Sequence, residues 1–273
     1  MDVIESLIPI SNARPGIKLT QFRGVTIHNT GNYNKGAGAR RHKDYMHNDG
    51  KKTKSGFHYV VDDSEIYRVI PEDEVAWHAG DGRGAGNMST VSIEICVNPD
   101  SNLEKAIDNA SWLSADILYR HGENKVVDGL RDKINGNLFQ HYSWSGKNCP
   151  KEIRDGAYGG WDEFIKKTTA ELANYYNTNS DINAIVDNLE NKGYIKDRLY
   201  WYRTLSGDRP IDNNTSVFLE MVVSEALNID YKQVLVDAMY DKGVIKSKEY
   251  WYNVFIGEQE PKLEYLATVL ERI

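Results

Sequence analysis

Two cysteines in 273 residues cannot form a framework of disulfides. A hydrophobic content of 40% supplies a globular core instead, and the length is enough for two domains. No stretch is apolar enough to span a bilayer, and the N-terminal segment lacks a basic region followed by an apolar run. The expectation is a chain with no export signal of its own and no membrane insertion. A basic excess is missing too. Lys and Arg number 33 against 40 Asp and Glu, a net charge of −7, which argues against a nucleic-acid partner.

What the sequence does have is a run of metal-binding chemistry, Gln140-His141-Tyr142-Ser143-Trp144-Ser145-Gly146-Lys147-Asn148-Cys149-Pro150. Imidazole nitrogen and thiolate sulfur are preferred donors for zinc, which takes four ligands in a tetrahedron. A loop rich in Ser, Gly and Asn lets His141 and Cys149 fold back onto one ion. Two ligands do not make a site, and a core histidine beside a buried free cysteine is the alternative.

The strand Gly24-Val25-Thr26-Ile27-His28-Asn29-Thr30 offers a third ligand, because its alternation turns His28 away from the face of Val25 and Ile27. A second strand, Val91-Ser92-Ile93-Glu94-Ile95-Cys96-Val97, repeats the pattern, with Glu94 opposite the apolar face. An acid in the middle of a buried strand needs a partner or a task. If both strands lie in one sheet, His28 and Glu94 emerge together and form the floor of a site.

In this order, "TIHNT", "GFHYVV", "WHAG", "VSIEI" and "HYSWSGKNCP" resemble the type 2 N-acetylmuramoyl-L-alanine amidases, which share the fold of the peptidoglycan-recognition proteins. The resemblance covers roughly residues 1 to 175. It implies an α/β fold with a mixed central sheet flanked by helices, and Zn2+ held by His28, His141 and Cys149. The implied reaction is hydrolysis of the amide between N-acetylmuramic acid and L-alanine in bacterial peptidoglycan. Three protein ligands leave a fourth position open. Glu94 is then the acid–base residue and Lys147 the stabiliser of the oxyanion. Some members carry a catalytic tyrosine where this chain has Phe57, so that role does not transfer. Members with a glutamate at the place of Glu94 fit better.

The rest of the first domain, residues 1–176, reads as follows. Residues 1 to 20 form a lead-in segment. A helix ends near Asp49-Gly50, and a hairpin joins 57–61 to 65–70 across Asp62-Asp63-Ser64. His42 and His47 lack partners at ligand spacing, whereas His58 is the rival for a metal role. Trp77-His78 precedes the glycine-dense loop 81–87. The resemblance makes this loop a wall of the substrate groove, with Trp77, His78 and Asn87 as contacts; an ordinary surface loop is the alternative. Ser101-Asn102-Leu103-Glu104 reads as a capping box opening a helix that Gly122 stops. Trp161 begins another helix, running to about Tyr176.

After a polar linker at 177–180, residues 181–273 read as a small all-α domain made of two repeats, 181–228 and 231–273. Lys192-Gly193-Tyr194-Ile195-Lys196 matches Lys242-Gly243-Val244-Ile245-Lys246, and Tyr200-Trp201-Tyr202 matches Tyr250-Trp251-Tyr252. Ile185 and Leu189 match Leu235 and Met239, and Phe218-Leu219 and Val222 match Tyr265-Leu266 and Val269. Three consecutive residues cannot all face one way on a helix, so at least one of each aromatic triplet is expected to be buried. Duplicated aromatic modules behind a wall-cutting domain resemble the cell-wall-binding parts of phage endolysins, which implies a wall polymer as their ligand. Homodimerisation through this domain is the alternative.

The resulting expectation is a phage or prophage endolysin, made in the bacterial cytoplasm and acting on the cell wall after release at lysis. The alternatives are a bacterial autolysin of the same chemistry and a non-catalytic peptidoglycan-binding protein with an assembly domain. A structural-zinc protein closed by His58 as fourth ligand is a third.

Overall fold

The computed structural model describes residues 2–178 continuously and, beyond them, 186–187, 189–191, 193, 201, 236–237, 239–241 and 245–255. The chain divides into two compact units, Met1–Asn183 and Ala184–Ile273.

The first unit is built on a six-stranded mixed sheet. Its strands are β1 (Val3–Glu5), β2 (Gly24–Asn29), β3 (Tyr59–Val61), β4 (Ile66–Arg68), β5 (Thr90–Ile95) and β6 (Leu138–Gln140), in the order β1-β4-β3-β5-β2-β6. Only β3 and β4 run antiparallel, as the hairpin expected across 62–64. Asp62 builds its turn by accepting from the backbone N–H groups of Ser64 and Glu65. The strands β3, β5, β2 and β6 are parallel neighbours, and His28 stands directly opposite Glu94, which stands opposite Val60. Since partners in register share a face, His28, Glu94 and Val60 form one row.

Helix α1 (Ala39–Asp49) packs on β3 and β4 on the face of that row, where Ala39, Met46, Val60, Tyr67 and Cys96 share a core. A five-residue turn of helix, α2 (Ala85–Ser89), runs directly into β5. The opposite face is covered by α3 (Leu103–Arg120), whose Ile107, Leu113, Ile117 and Leu118 are buried. Each such side chain contributes roughly 1.5–3 kcal/mol. The N-cap of α3 is Asn102, one residue later than the capping box anticipated. Its side chain accepts from the Lys105 N–H, while the Ser101 hydroxyl is drawn away to Asp63. Gly122, at φ 83°, stops α3 as expected: its N–H bonds Tyr119 and that of Glu123 bonds Leu118.

Two short helices, α4 (Tyr142–Ser145) and α5 (Lys151–Arg154), flank the loop ending at Cys149. The helix α6 (Gly160–Thr178) then lies along α3, burying Trp161, Phe164 and Leu172 and stacking Tyr175 on Tyr119. It extends through the first two residues of the stretch read as a linker.

Two strands were not anticipated. The lead-in segment contains β1, which extends the sheet edge beside β4, and β6 precedes His141. Each has only three residues, too few to display a period.

In the second unit, α7 (Lys248–Phe255) buries Trp251 against Val236 and Ile245. Trp201, fifty positions earlier, is buried as well, so the central residue of each aromatic triplet faces inward. Gly193 has the left-handed φ of 75° expected of a helix stop. The remaining matches (185, 192, 194–196, 200, 202, 218–222, 235, 242–244 and 265–269), like Asn179-Ser180 of the linker, lie outside the described residues. Among the described residues, no helix is long and apolar enough to cross a membrane.

Candidate active site

Parallel strands end together, and ligands of such sheets gather beyond their carboxyl ends. Glu94 stands one residue from the end of β5, His28 one from the end of β2, and His141 immediately after β6. These three adjacent strands therefore deliver three polar side chains to one place.

Cys149 arrives from the loop after α4, which several contacts fold back. The Tyr142 N–H donates to the Cys149 carbonyl at 3.1 Å. Arg154 donates to Gln140 at 2.6 Å and to Asn148 at 2.7 Å, and its guanidinium lies 3.7 Å over the Tyr142 ring. Trp144 donates from Nε1 to the Thr26 hydroxyl at 3.0 Å and packs on Phe139. At Gly86 a Cβ would lie 2.5 Å from the Ala79 Cβ and 2.8 Å from the Trp144 ring, so only glycine admits this contact.

The donor atoms of His28, His141 and Cys149 all lie within 4.8 Å of one another. The Nδ1 atoms of the histidines are 3.0 Å apart, and Cys149 Sγ is 3.9 Å from His28 Nδ1. Around one tetrahedral zinc, two nitrogens stand about 3.3 Å apart and a nitrogen and sulfur about 3.6 Å. The protonation pattern also fits a cation. His28 Nε2 lies 3.0 Å from His78 Nδ1, while its Nδ1 lies 3.0 Å from His141 Nδ1, so the two Nδ1 atoms turn to the same point. Burial, then the charge of Lys147, lowers the His141 pKa to about 4. Burial, reinforced by His78, holds His28 well below the usual imidazole range. Both rings are thus in the neutral, ligating form. Burial, then the charge of Glu94, pushes the Cys149 thiol up to about 12, which a bound cation would reverse. The backbone N–H of Asn29 already points at its sulfur, at 3.4 Å.

Glu94 Oε1 is 4.0 Å from His28 Nδ1, and its Oε2 is buried without a hydrogen-bond partner. Burial raises its pKa to about 8, against an opposing pull from Lys147. Lys147 is exposed at the mouth of the same cleft.

The cleft encloses about 1020 Å³ and has His28, Glu94, His141 and Cys149 at its base. Its flank toward α1 carries Arg41, Tyr45 and Lys54, and Phe57 lines it without a hydroxyl. Trp77, His78 and Asn87 line it too. Trp77 is half-buried, but the Asn87 amide is spent on the loop itself: Oδ1 accepts from the N–H groups of His78 and Ala79, and Nδ2 donates to Gly82. His78 is buried against His28.

His58 does not join the metal donors. Its Nδ1 accepts from the Ser92 N–H at 2.9 Å, and Nε2 donates to the Glu74 carbonyl at 2.8 Å. Both nitrogens therefore pin the start of β3 to its neighbours, and the reading of His58 as a closing fourth ligand fails. His47 bonds Ser6, and His42 lines the cleft near α1. Reasoning from the sequence missed Trp144, Arg154, Thr26 and Asn29, because their roles arise only from contacts between distant segments.

The family profile described as N-acetylmuramoyl-L-alanine amidase matches residues 18–152. The chain is 38% identical over 165 residues to N-acetylmuramoyl-L-alanine amidase XlyA of Bacillus subtilis (strain 168), covering 60% of this chain and 50% of XlyA. It is 39% identical over 165 residues to N-acetylmuramoyl-L-alanine amidase CwlH of the same organism, covering 59% of this chain and 58% of CwlH. It thus spans about half the length of these curated relatives. The solved catalytic domain of XlyA superposes with a TM-score of 0.53 at 38% identity, covering 62% of this chain and 99% of that domain.

Proposed function

We propose, for a chain that belongs to the N-acetylmuramoyl-L-alanine amidase family, hydrolysis of the amide between N-acetylmuramic acid and L-alanine in bacterial peptidoglycan. The observation that carries the reading is the convergence of His28 Nδ1, His141 Nδ1 and Cys149 Sγ beside the unpartnered Glu94 carboxyl oxygen at the base of one cleft. These three residues hold Zn2+. When bound, zinc supplies a Lewis acid for the scissile carbonyl and lowers the pKa of water.

The chain's own groups supply the rest. Glu94 takes up at Oε2 the proton of the water that adds to the carbonyl carbon, and gives it to the amine of L-alanine as the C–N bond breaks. Its raised pKa suits both halves of that task, because the group exchanges protons near neutrality. Lys147 at the cleft mouth meets the negative charge that develops on the substrate oxygen. Arg41 and Lys54 on the opposite flank leave the rim cationic, a match for the carboxylates of a stem peptide. Trp77 offers an aromatic face to the sugar or peptide.

The second unit is a helical domain of two repeats that binds a cell-wall polymer. The central Trp201 and Trp251 are buried, so these two indoles serve the domain's core and not the wall ligand. The whole acts as a phage or prophage endolysin, released to the wall at lysis. The test is digestion of purified cell walls: new amino termini on L-alanine without new reducing sugars are expected. New reducing ends alone would overturn the assignment.

A further inference from the structure

His78 is 8% exposed, and its Nδ1 lies 3.0 Å from Nε2 of His28 with the two rings edge to face at 90°. The direction of this hydrogen bond follows from the far side of His78. There Nε2 lies 3.5 Å from the Thr90 hydroxyl oxygen. The Thr90 hydroxyl in turn donates to the Gly86 carbonyl at 2.6 Å, and its oxygen lies 2.8 Å from the Thr26 hydroxyl, which accepts from Trp144. With its proton spent on the Gly86 carbonyl, the Thr90 hydroxyl can only accept from His78, so Nε2 carries the ring proton and Nδ1 the lone pair. His28 must then donate from Nε2, which leaves its own lone pair on Nδ1, aimed at His141 and Cys149.

We infer that His78 is a positioning residue: it fixes the tautomer and ring orientation of His28, so that the nitrogen facing the metal position is always the one free to bind. This rests on the metal reading proposed above. It gives His78, which also lines the cleft, a task other than the substrate contact that the "WHAG" motif suggested. Metal-bound histidines commonly donate their second N–H to an acceptor, and loss of such a partner costs about 10–100-fold in metal affinity.

The test uses the full chain and measures zinc affinity by competition with a chromogenic chelator. His78→Phe keeps an aromatic ring in place, somewhat larger than imidazole, and removes the acceptor. His78→Asn puts an amide oxygen where Nδ1 was. Zinc affinity should fall about 10–100-fold in His78→Phe and recover most of the way in His78→Asn. The inference is overturned if His78→Phe binds zinc like the wild type, or if both variants lose affinity equally. Imidazole nitrogen NMR on zinc-free wild-type protein gives a readout that needs no variant. It should find His28 protonated at Nε2, and a proton on Nδ1 would overturn the inference even if His78→Phe does not fold. If the wild type itself binds no zinc, the metal reading fails, which is a separate result.

Discussion

His28 and Glu94 are register partners across the β2–β5 ladder, and Nδ1 of one lies 4.0 Å from Oε1 of the other. The proposed metal ligand and the proposed proton carrier are therefore spaced by the sheet itself, and substitutions should separate their two roles.

His28→Ala, His141→Ala and Cys149→Ser should each lose zinc and activity, because each removes one of three protein ligands. Elemental analysis of the purified variants checks this. A Cys149→Ser protein with a full equivalent of zinc and full wall-cleaving activity would remove the metal assignment.

Glu94→Gln should keep its zinc and lose about 10²–10⁴-fold in turnover, the usual worth of a positioned acid–base group. The same variant has a second signature. The Glu94 pKa is raised to about 8 by burial, so ionising it costs the folded state stability as pH rises from the unfolded carboxylate value toward 8. Zinc-free Glu94→Gln should therefore melt higher than zinc-free wild type at pH 8, with the difference shrinking to little near pH 4. Thermal melts at the two pH values decide it.

Lys147→Ala should lose about 10²–10³-fold in kcat, as expected for a donor to a developing oxyanion. Lys147 also pulls the Glu94 pKa down. Removing it should shift the acidic limb of the pH–rate profile to higher pH, and an unchanged profile would uncouple the two residues.

Gly86→Val should displace the 77–87 loop, since its Cβ would meet Ala79 and Trp144 at under 3 Å. Overpacking of this kind costs about 1–3 kcal/mol. A lowered melting temperature together with weakened zinc binding is expected, because the same loop carries His78.

Residues 181–273 expressed alone should be helical by circular dichroism, indifferent to chelator and retained on target cell walls without cutting them. Residues 1–178, which keep α6 whole, should cleave soluble muropeptides and lyse whole cells more weakly than the full chain. A C-terminal fragment that dimerises and ignores walls would replace binding with assembly.

Much of this site was legible in the residues. Donor types at His141 and Cys149, and the alternation around His28 and Glu94, single out four groups that the fold brings to one cleft, because strand periodicity is local. His58 misled because alternation gives a face and not a neighbour: only the fold shows Ser92 and Glu74 consuming both its nitrogens. Asn87 lines the cleft as the loop's place suggested, but only the fold shows its amide holding its own loop. The tethers through Trp144 and Arg154 were invisible for a related reason. Indole and guanidinium groups have many uses, and Thr26 lies 118 positions from Trp144.

The ladder pairing of β2 with β5 has one more consequence. Sliding β2 by one residue would carry His28 to the α3 face and bring Asn29 or Ile27 into the row with Glu94. Half of the site is therefore inherited from the core and can change only if the fold does. Cys149 and Lys147, by contrast, ride on a loop held by side chains. The placement of Cys149 therefore depends on tethers such as Arg154 to Gln140 and Trp144 to Thr26, and cutting them should loosen it while the row of His28 and Glu94 stays in register.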